Sequence, residues 1–317
     1  MRILVTSIGS MSAPCVISTL HENGYYVVGT DIYPGQWHYE TRLCDVFCQA
    51  PYATDEENYL SFLISTCRKY NLGVILPLTD LEIDVLDRNR HIFEPENINL
   101  SMPAHEVIKV ARNKYTLYNV FKDDINVPSI KTVKLTDYIS GSSNDMFFPC
   151  VAKTINGRSS EGLIRNASLN EIRAIEDKSN YILQEQIKGE ICTVDYVRTK
   201  KYNYDVLLAR IELLRTKNGA GMTIKTFCNE RLSFLASYIG KKLDINGAVN
   251  MEFIHTDEDE YYLIDLNPRF SAGIAYSKIA GYDLVTNHFR ATEGKMIDPQ
   301  ISLKEFYITK YWKETIL

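Results

Sequence analysis

Two segments near residue 260 carry acidic side chains at a spacing suited to a divalent cation. The patterns of 248–254 (AVNMEFI) and 261–266 (YYLIDL) predict two strands, and the polar residues 255–260 between them predict the turn of an antiparallel hairpin. A turn centred in this polar segment places Glu252 directly opposite Asp265, with their Cβ atoms about 5 Å apart. Two facing carboxylates repel each other unless a cation lies between them.

Side chains along a strand alternate between its two faces. Asn267 therefore shares the face of Asp265, whereas the opposite, apolar face is expected to hold Val249, Met251, Phe253, Tyr262, Ile264 and Leu266. Mg2+ usually takes one or two protein carboxylates and completes its shell with phosphate oxygens. The hairpin is therefore a candidate magnesium site, and it is followed by Arg269, whose permanent charge suits phosphate or carboxylate. The alternative interpretation is a solvated polar face on an ordinary hairpin.

The segment 148–162 (FPCVAKTINGRSSEG) has the residues of a phosphate-binding loop. A short apolar strand delivers Lys153, and the flexible stretch that follows contains Gly157, Ser159, Ser160 and Gly162. Glycines and serines allow backbone N–H groups to close around phosphate oxygens, and the lysine supplies positive charge. No GxxxxGK[ST] motif occurs, which excludes a P-loop nucleotide site. A surface hairpin with a mobile tip would give the same pattern.

Two further strand ends could contribute to a nucleotide site. The strand that begins the segment 181–194 ends in residues whose backbone could hydrogen-bond an adenine edge, namely Gln184, Glu185, Gln186 and Ile187, and the carboxylate of Glu190 could accept from ribose hydroxyls. In the next apolar segment, Arg210 and Glu212 fall on one face, and the arginine could stabilise charge that develops in phosphoryl transfer. The loop 217–221 is expected to be mobile. A linker between strands would explain the adenine segment equally well.

The elements that must position these residues fall into two patterns. Over the first hundred residues, apolar strands alternate with helices, which predicts βαβ units and a parallel sheet. The expected strands are 2–7, 25–31 and 73–77, and the expected helices are 13–23 and 58–70. Gly9 follows the first strand, but the second and third glycines of GxGxxG are missing, which argues against NAD(P) binding. After a helix at 104–121, strands dominate to about residue 270, and a final strand is expected at 305–312.

The composition excludes several classes of protein. The 317-residue chain has a net charge of -5, which gives no indication of a nucleic-acid surface. No segment has the roughly 20 apolar residues of a membrane span. Seven scattered cysteines, an odd number, argue against a disulfide framework and favour reduced thiols. Because the N-terminus has no signal-peptide pattern, the expected location is the cytoplasm.

The order of these segments resembles the ATP-grasp superfamily, in the branch of carbamoyl-phosphate-synthase large-subunit-like proteins and of amino acid ligases related to the pyrrolysine-pathway ligase. The resemblance extends from the Rossmann-like beginning to the DLNPRF segment, in which an acidic residue stands two positions before Asn-Pro-Arg. It implies a fold of α/β and α+β class, with a Rossmann-like pre-ATP-grasp domain at 1–100 followed by a two-lobed ATP-grasp domain. The small lobe, with a helix and the glycine-rich flap, would occupy 101–180, and the C-terminal lobe, with the metal site, would occupy 181–317.

The resemblance also implies ATP and Mg2+ as cofactors, with Mn2+ as an alternative ion, and a role for each candidate residue. The phosphates would be bound by Lys114 (in RNKYTLY), Lys153 and the flap residues Gly157, Ser159, Ser160 and Gly162. The adenine hinge would be Gln184, Glu185, Gln186 and Ile187, with Glu190 on the ribose. The magnesium ligands would be Glu252, Asp265 and Asn267, while Arg210 and Arg269 would steady the transferred phosphoryl group and the acyl phosphate. The family more often has Glu at the position of Asp265, so an altered metal geometry is expected.

The function implied is that of an ATP-dependent carboxylate–amine ligase, which forms an amide through an acyl phosphate. Amino acids are the expected substrates. A carboxylase or a glycinamide-type ligase on the same scaffold is one alternative, and a non-catalytic ATP-binding regulator is another. The expected partners are small-molecule carboxylates and amines rather than nucleic acid or membrane, and the expected assembly is a homodimer.

Overall fold

The first sheet of the structure is parallel. The structure is a computed structural model that describes residues 1–142, 148–158 and 161–316. Its first part forms β1 (Arg2–Val5), β2 (Tyr26–Asp31), β3 (Val46–Gln49), β4 (Val74–Leu76) and β5 (Asn99–Leu100). The strands lie in the order β3-β2-β1-β4-β5, and every neighbouring pair is parallel, which confirms the predicted sheet. The ends of β1 and β4 meet at the centre, where open α/β sheets bind ligands.

Helices cover both faces of this sheet, as a buried parallel sheet requires. They are α1 (Ala13–Glu22), α2 (Glu56–Tyr70), α3 (Asp80–Arg88) and α4 (Arg90–Phe93). The positions of α1 and α2 agree with the predicted helices, whereas α3 lies outside the predicted elements. It follows β4 closely, and its first turn carries Asp80 and Glu82, whose negative charge stabilises a helix N-terminus.

The helix predicted at 104–121 is broken into α5 (His105–Ala111) and α6 (Lys114–Phe121). The chain turns between them because Asn113 has an extended backbone and caps α6. Its side-chain oxygen accepts a hydrogen bond from the backbone N–H of Thr116 at 2.8 Å. The break places Lys114 in the first turn of a new helix, next to the candidate site.

A small antiparallel sheet follows. Its strands are β6 (Thr132–Lys134), β7 (Cys150–Thr154) and β8 (Tyr181–Glu185), in the order β6-β8-β7. Helices α7 (Leu135–Ile139) and α8 (Leu169–Ala174) contribute to its core. Because β8 pairs in this sheet, the small sheet continues beyond residue 180; the domain limits themselves stay a prediction.

The largest sheet is antiparallel and carries most of the candidate site. Its strands are β9 (Glu190–Thr199), β10 (Tyr204–Arg215), β11 (Gly221–Phe227), β12 (Gly247–His255), β13 (Tyr261–Asn267) and β14 (Tyr307–Thr309). Their order is β13-β12-β9-β10-β11-β14. The final strand is shorter than the predicted 305–312, and it pairs with β11.

Helices α9 (Glu230–Lys242), α10 (Ile274–Ile279) and α11 (Leu284–Thr292) complete this part of the chain. Strands dominate up to β13, as predicted, and α9 is a helix among them. Its buried residues recur at the spacing of one helix face: Leu232, Leu235, Ala236 and Ile239. Asn229 begins the helix, because its side chain accepts from the N–H of Leu232 at 2.9 Å.

The hairpin forms with the predicted register at its acidic residues. In the pairing of β12 with β13, Glu252 lies opposite Asp265 and Asn250 lies opposite Asn267. We refer to Glu252 and Asp265 as the acidic pair. The other face of β12 is buried as predicted, with Met251 fully enclosed in the core.

A bulge in β13 changes the face expected for its apolar residues. The pairing shifts by one position next to the acidic pair, which leaves Ile264 as an extra residue on this strand. Tyr261 and Leu266 therefore pack in the core, and Ile264 lies beside Asp265 in the cleft described below. The predicted apolar face is right for Leu266 and wrong for Tyr262 and Ile264.

A shared core joins the first sheet to the largest one. Ile3 and Val5 of β1 belong to the same buried cluster as Val197 of β9 and Phe289 of α11. The elements that carry the candidate site are therefore packed against each other directly. Within the described ranges, no helix has both the length and the apolar composition needed to cross a membrane. The cysteines are free thiols, as expected.

Candidate functional site

A cleft of about 700 Å³ opens where the first sheet meets the other two sheets. The turn after β1 and the start of α3 form one wall, which includes Ser10, Met11, Ser12, Thr79 and Asp80. The remaining walls come from β7 with its following loop and from β9, β10, β12 and β13. The cleft brings together the predicted site residues Lys114, Lys153, Gly157, Arg210, Glu252, Asp265, Asn267 and Arg269.

Each member of the acidic pair lies next to a cation. Asp265 is 3.4 Å from the Nζ of Lys114, and Glu252 is 3.1 Å from the guanidinium of Arg215. Burial raises the pKa of Glu252; Arg215 opposes this shift, while the nearby carboxylates of Asp265 and Glu212 add to it. Basic side chains from α6 and β10 therefore compensate the charge of the hairpin.

Arg215 is a site residue that strand alternation does not predict. Its Nε is 2.8 Å from Glu212, and its Nη2 is 3.1 Å from Glu252. Regular alternation would put Leu214, and not Arg215, on the face of Glu212. The pairing of β10 with β11 shifts on both sides of Leu214. This irregularity turns Arg215 into the cleft and leaves Leu214 exposed.

Two lysines approach the acidic pair. Lys153, on β7, donates to the backbone carbonyl of Ile264 at 3.4 Å, and Lys114 donates to that of Gly157 at 3.0 Å. Burial, with the positive charge of Lys114, lowers the pKa of Lys153 from 10.5 to about 8, against the opposing effect of the acidic pair. Two ammonium groups this close favour an anionic ligand, because an anion between them offsets their repulsion.

Arg210 belongs to a buried polar network at the wall of the cleft. Its guanidinium donates to Asp195 at 2.7 Å and to the hydroxyl of Ser271 at 3.2 Å. Asp195 also accepts from Asn250 at 3.2 Å, and Asn250 accepts from the amide nitrogen of Asn267 at 3.3 Å. The network therefore fixes the orientation of the Asn267 amide and leaves its oxygen available as a ligand. Asp195 is not among the predicted site residues. Its contacts come from other strands, which the local sequence pattern does not show.

Arg269 is paired with a residue of the first sheet region. Its Nε and Nη2 donate to the two carboxylate oxygens of Asp80 at 2.9 and 2.8 Å. Burial would raise the pKa of Asp80, but the charges of Arg269 and Arg112 outweigh burial and hold that pKa below its usual value. No local signal predicts this pair, since the two residues are 189 positions apart and α3 is not among the predicted helices.

The glycine-rich loop is described in part. Gly157 lines the cleft, and a Cβ at this position would lie 1.8 Å from the Oγ1 of Thr154, so the close approach favours glycine. Gly162 has a φ of +68°, which also favours glycine, but it is not among the described residues that line the cleft. Ser159 and Ser160, both predicted to bind phosphate, lie outside the described residues.

The predicted adenine hinge lies beside the cleft. Gln184 lines a smaller cavity of about 30 Å³, which shares Lys153 with the cleft. In the part of the chain that the structure describes, neither cavity is lined by the other predicted residues of this group, Glu185, Gln186, Ile187 and Glu190. The backbone N–H groups of Glu185 and Gln186 donate to neighbouring carbonyls, whereas that of Ile187 has no acceptor among the described residues.

The donor set fits a hard divalent cation that also binds phosphate oxygens. The acidic pair and the amide oxygen of Asn267, which accepts no hydrogen bond from the described residues, offer the oxygen ligands that Mg2+ prefers. Residues 1–142, 148–158 and 161–316 contain no group of three or more His, Cys, Asp or Glu side chains that could hold a metal ion. An ion at the acidic pair would therefore depend on a bound nucleotide to complete its shell.

Known families match both parts of the chain. The model of the ATP-grasp domain matches residues 111–273, which is more than half of the chain and includes the acidic pair, Lys114, Lys153 and Arg269. The chain belongs to the ATP-grasp family. The PylC-like, N-terminal domain matches residues 3–101. The predicted resemblance and the predicted mixed α/β fold class are confirmed.

Solved structures share this fold at low sequence identity. A biotin carboxylase from Campylobacter jejuni, as a β-γ-ATP complex, has a TM-score of 0.79 and 16% identity over 96% of this chain and 73% of its own. The biotin carboxylase domain of a Hydrogenobacter thermophilus 2-oxoglutarate carboxylase, with MgADP and bicarbonate, has a TM-score of 0.78 and 18% identity over 94% of this chain and 71% of its own. N5-carboxyaminoimidazole synthetase from Staphylococcus aureus has a TM-score of 0.74 and 17% identity over 95% of this chain and 79% of its own. No curated protein sequence matches the chain.

Membership of the ATP-grasp family establishes the general chemistry. Its members are ATP-dependent ligases, and the use of ATP with Mg2+ is general for the fold. The prediction of an ATP-grasp ligase is confirmed at this level. The roles of single residues and the identity of the substrates stay predictions.

Proposed function

We propose that this ATP-grasp ligase joins a carboxylate to an amine, with an acyl phosphate as the intermediate and amino acids as substrates. The observation that carries the proposal is the register that places Glu252 opposite Asp265, in a cleft that also contains Lys153 and Arg269. Phosphoryl transfer requires both negative ligands for a metal ion and positive groups for phosphate oxygens. This cleft offers both.

The triphosphate of ATP would lie between the lysines and the acidic pair. Lys114 and Lys153 would contact the phosphates, and the loop would close over them through Gly157, Ser159, Ser160 and Gly162. The base would lie at the hinge formed by Gln184, Glu185, Gln186 and Ile187, with Glu190 on the ribose. The N–H of Ile187, which has no acceptor among the described residues, supports this placement, because an adenine edge needs a backbone donor. Glu190 is the first residue of β9 and is exposed, so its carboxylate would be open to a sugar hydroxyl.

Glu252, Asp265 and Asn267 would hold Mg2+, or Mn2+ in its place. A bound ion would neutralise charge on the transferring phosphate. The free amide oxygen of Asn267 and the raised pKa of Glu252 both support a site that gains from a cation. Arg215 and Lys114 hold the carboxylates in place before a ligand binds.

The proposed reaction has two steps. A carboxylate oxygen forms a bond to the γ-phosphorus of ATP as the bond to the β–γ bridging oxygen breaks, and ADP leaves. The amine then attacks the acyl carbon, the bond from that carbon to the phosphate oxygen breaks, and the amine loses a proton to solvent or phosphate. Arg210 and Arg269 stabilise the transferring phosphoryl group. No cysteine or histidine is among the described lining residues, which supports direct transfer between substrates.

A carboxylase that activates bicarbonate is the second candidate. The fold is shared with biotin carboxylases, and the Hydrogenobacter protein was solved with MgADP and bicarbonate. The same residues would phosphorylate bicarbonate in place of an organic carboxylate, and ADP would again be released. A glycinamide-type ligase would use the same groups with a different amine.

The proposal extends to the organisation of the chain. Residues 1–100 would form the first domain, with the two ATP-grasp lobes at 101–180 and 181–317. The expected assembly is a homodimer in the cytoplasm, and light scattering of the purified protein measures its mass.

Magnesium-dependent ADP release tests the function. Purified protein is incubated with MgATP and with pooled amino acids, other carboxylates, amines and bicarbonate. A ligase releases ADP only when an acid and an amine are both present, and mass spectrometry then identifies the amide. A requirement for bicarbonate would identify the carboxylase. ATP binding without ADP release from any pool would indicate a regulator.

A further inference from the structure

Asp80 and Arg269 join the first sheet region to the ATP-grasp region at the wall of the cleft. Asp80 is the first residue of α3, and Arg269 lies two residues beyond β13. The Nε and Nη2 of Arg269 donate to separate carboxylate oxygens of Asp80, at 2.9 and 2.8 Å. A bidentate pair of this kind fixes the plane of the guanidinium as well as its position.

The pair leaves other donors of Arg269 free for a ligand. A guanidinium has five N–H donors. Asp80 takes one from Nε and one from Nη2, and the carbonyl of Phe270 takes one from Nη1 at 3.2 Å. The remaining N–H groups have no acceptor within the described residues, and the side chain lines the cleft. Asp80 is only 4% exposed, so it cannot turn away to solvent.

A second arginine lies near Asp80 without a hydrogen bond to it. The Nη1 of Arg112 is 4.0 Å from Asp80, while its Nε and Nη2 donate to Asp84 at 2.9 and 3.0 Å. Asp84 lies one turn along the same helix and has no hydrogen bond to Arg269 among the described residues. The chain therefore contains a matched bidentate pair that does not involve Arg269.

We propose that Asp80 is a positioning residue for phosphoryl transfer: it fixes the guanidinium plane of Arg269 so that the free N–H donors face the transferring group. The inference rests on the proposed function, in which Arg269 steadies that group. It makes the first domain part of the catalytic centre, because the ATP-grasp match at 111–273 contains the arginine but not the residue that orients it. An ion pair that only tied the two regions together would affect stability and leave the affinity for a transferred phosphoryl group unchanged.

A phosphoryl mimic tests the inference without a known substrate. Asp80→Asn keeps the shape of the side chain but removes its charge and one acceptor. Orthovanadate is titrated by calorimetry into protein that is saturated with MgADP. Vanadate is expected to bind to the variant about 10- to 100-fold more weakly than to the wild type, with the affinity for MgADP unchanged. Asp84→Asn, which removes the partner of Arg112, is expected to bind both ligands like the wild type.

The outcomes separate the inference from the proposed function. A wild-type protein that does not bind MgADP would overturn the proposed function. If MgADP binds but vanadate does not, or if vanadate binds equally well to Asp80→Asn, the positioning role is wrong. Should Asp80→Asn fail to fold by circular dichroism, Asp80→Glu replaces it, and its longer side chain is expected to weaken vanadate binding by a smaller factor; unchanged binding would again contradict the role. Once substrates are known, the variant is expected to lower kcat without changing KM for ATP.

Discussion

Glu252 and Asp265 lie directly opposite each other on adjacent strands, and each is compensated by a cation from a different element. The cations are Arg215 of β10 and Lys114 of α6. Like charges that face each other in a hairpin are destabilising, so the register has a cost that these cations offset. The same side chains therefore affect both the stability of the ligand-free protein and the binding of MgATP.

Replacing one member of the acidic pair is expected to abolish most of the activity. Glu252→Gln keeps the shape of the side chain and removes a charged metal ligand, so ADP release should fall about 100-fold. The Mg2+ concentration for half-maximal activity should rise, as measured in a coupled ADP assay. Glu258→Gln, in the exposed turn of the same hairpin, should retain wild-type activity. Wild-type activity in Glu252→Gln would show that the metal assignment is wrong.

Loss of Arg215 is expected to destabilise the protein in the absence of ligand. Arg215→Met leaves Glu212 and Glu252 as neighbouring carboxylates with little solvent, and the cost of breaking such a pair is about 3 kcal/mol. Urea unfolding measures the free energy with and without Mg2+. The ion should restore part of the loss in the variant and have a smaller effect on the wild type. Equal unfolding midpoints without Mg2+ would contradict this role of Arg215.

The affinity for ATP is expected to decrease as the pH rises above about 8. Burial, with the charge of Lys114, lowers the pKa of Lys153 to about 8, so the free protein loses its ammonium charge above this pH. Arginine stays protonated throughout the accessible range. Lys153→Arg should therefore bind MgATP with little pH dependence between pH 7 and 10, whatever its absolute affinity. Calorimetric titrations measure both profiles, and identical pH dependence in the two proteins would rule out Lys153 as the titrating group.

Stability in acid is expected to depend on His288. Its Nδ1 accepts from the backbone N–H of Ala248 at 2.9 Å, so its Nε2 carries the proton and donates to Ser101 at 2.9 Å. Burial lowers its pKa from 6.5 to about 4. Between these values the unfolded chain binds a proton that the folded chain does not, so the free energy of unfolding decreases as the pH falls through this window. The total loss of unfolding free energy from this histidine is about 3 kcal/mol, and the loss is complete below about pH 4.

Unfolding by urea at a series of pH values tests this dependence. His288→Gln should be less stable than the wild type at neutral pH and should lose less stability as the pH falls from 6.5 to about 4. His91→Gln removes an exposed histidine and should keep the wild-type slope. If the free energy of unfolding of His288→Gln depends on pH as steeply as that of the wild type, the buried ring of His288 is not the neutral group that we infer.

The parts of the site that follow from local pattern could be predicted from the sequence. The alternation of strands with helices predicts the parallel first sheet, and the polar turn between two apolar strands places Glu252 opposite Asp265. Strand irregularities account for two of the errors. Arg215 and Ile264 enter the cleft because β10 and β13 depart from regular pairing, and no residue pattern at these positions signals the shift.

Contacts between distant segments could not be predicted from one sequence. Asp80 reaches Arg269 across 189 positions, and Asp195 is buried by residues of other strands. Such pairs depend on how the sheets pack, which local periodicity does not report. Asn113 is a different case, because Asn is a common helix cap and its presence could have indicated the break before Lys114.

The formation of an acyl phosphate is the central claim, and oxygen transfer tests it most directly. A carboxylate that supports ADP release is labelled with 18O, and the released phosphate is analysed by mass spectrometry. The account predicts one 18O atom in each phosphate, because a carboxylate oxygen bonds to phosphorus and then separates from the acyl carbon. Unlabelled phosphate, or 18O found in AMP, would contradict it.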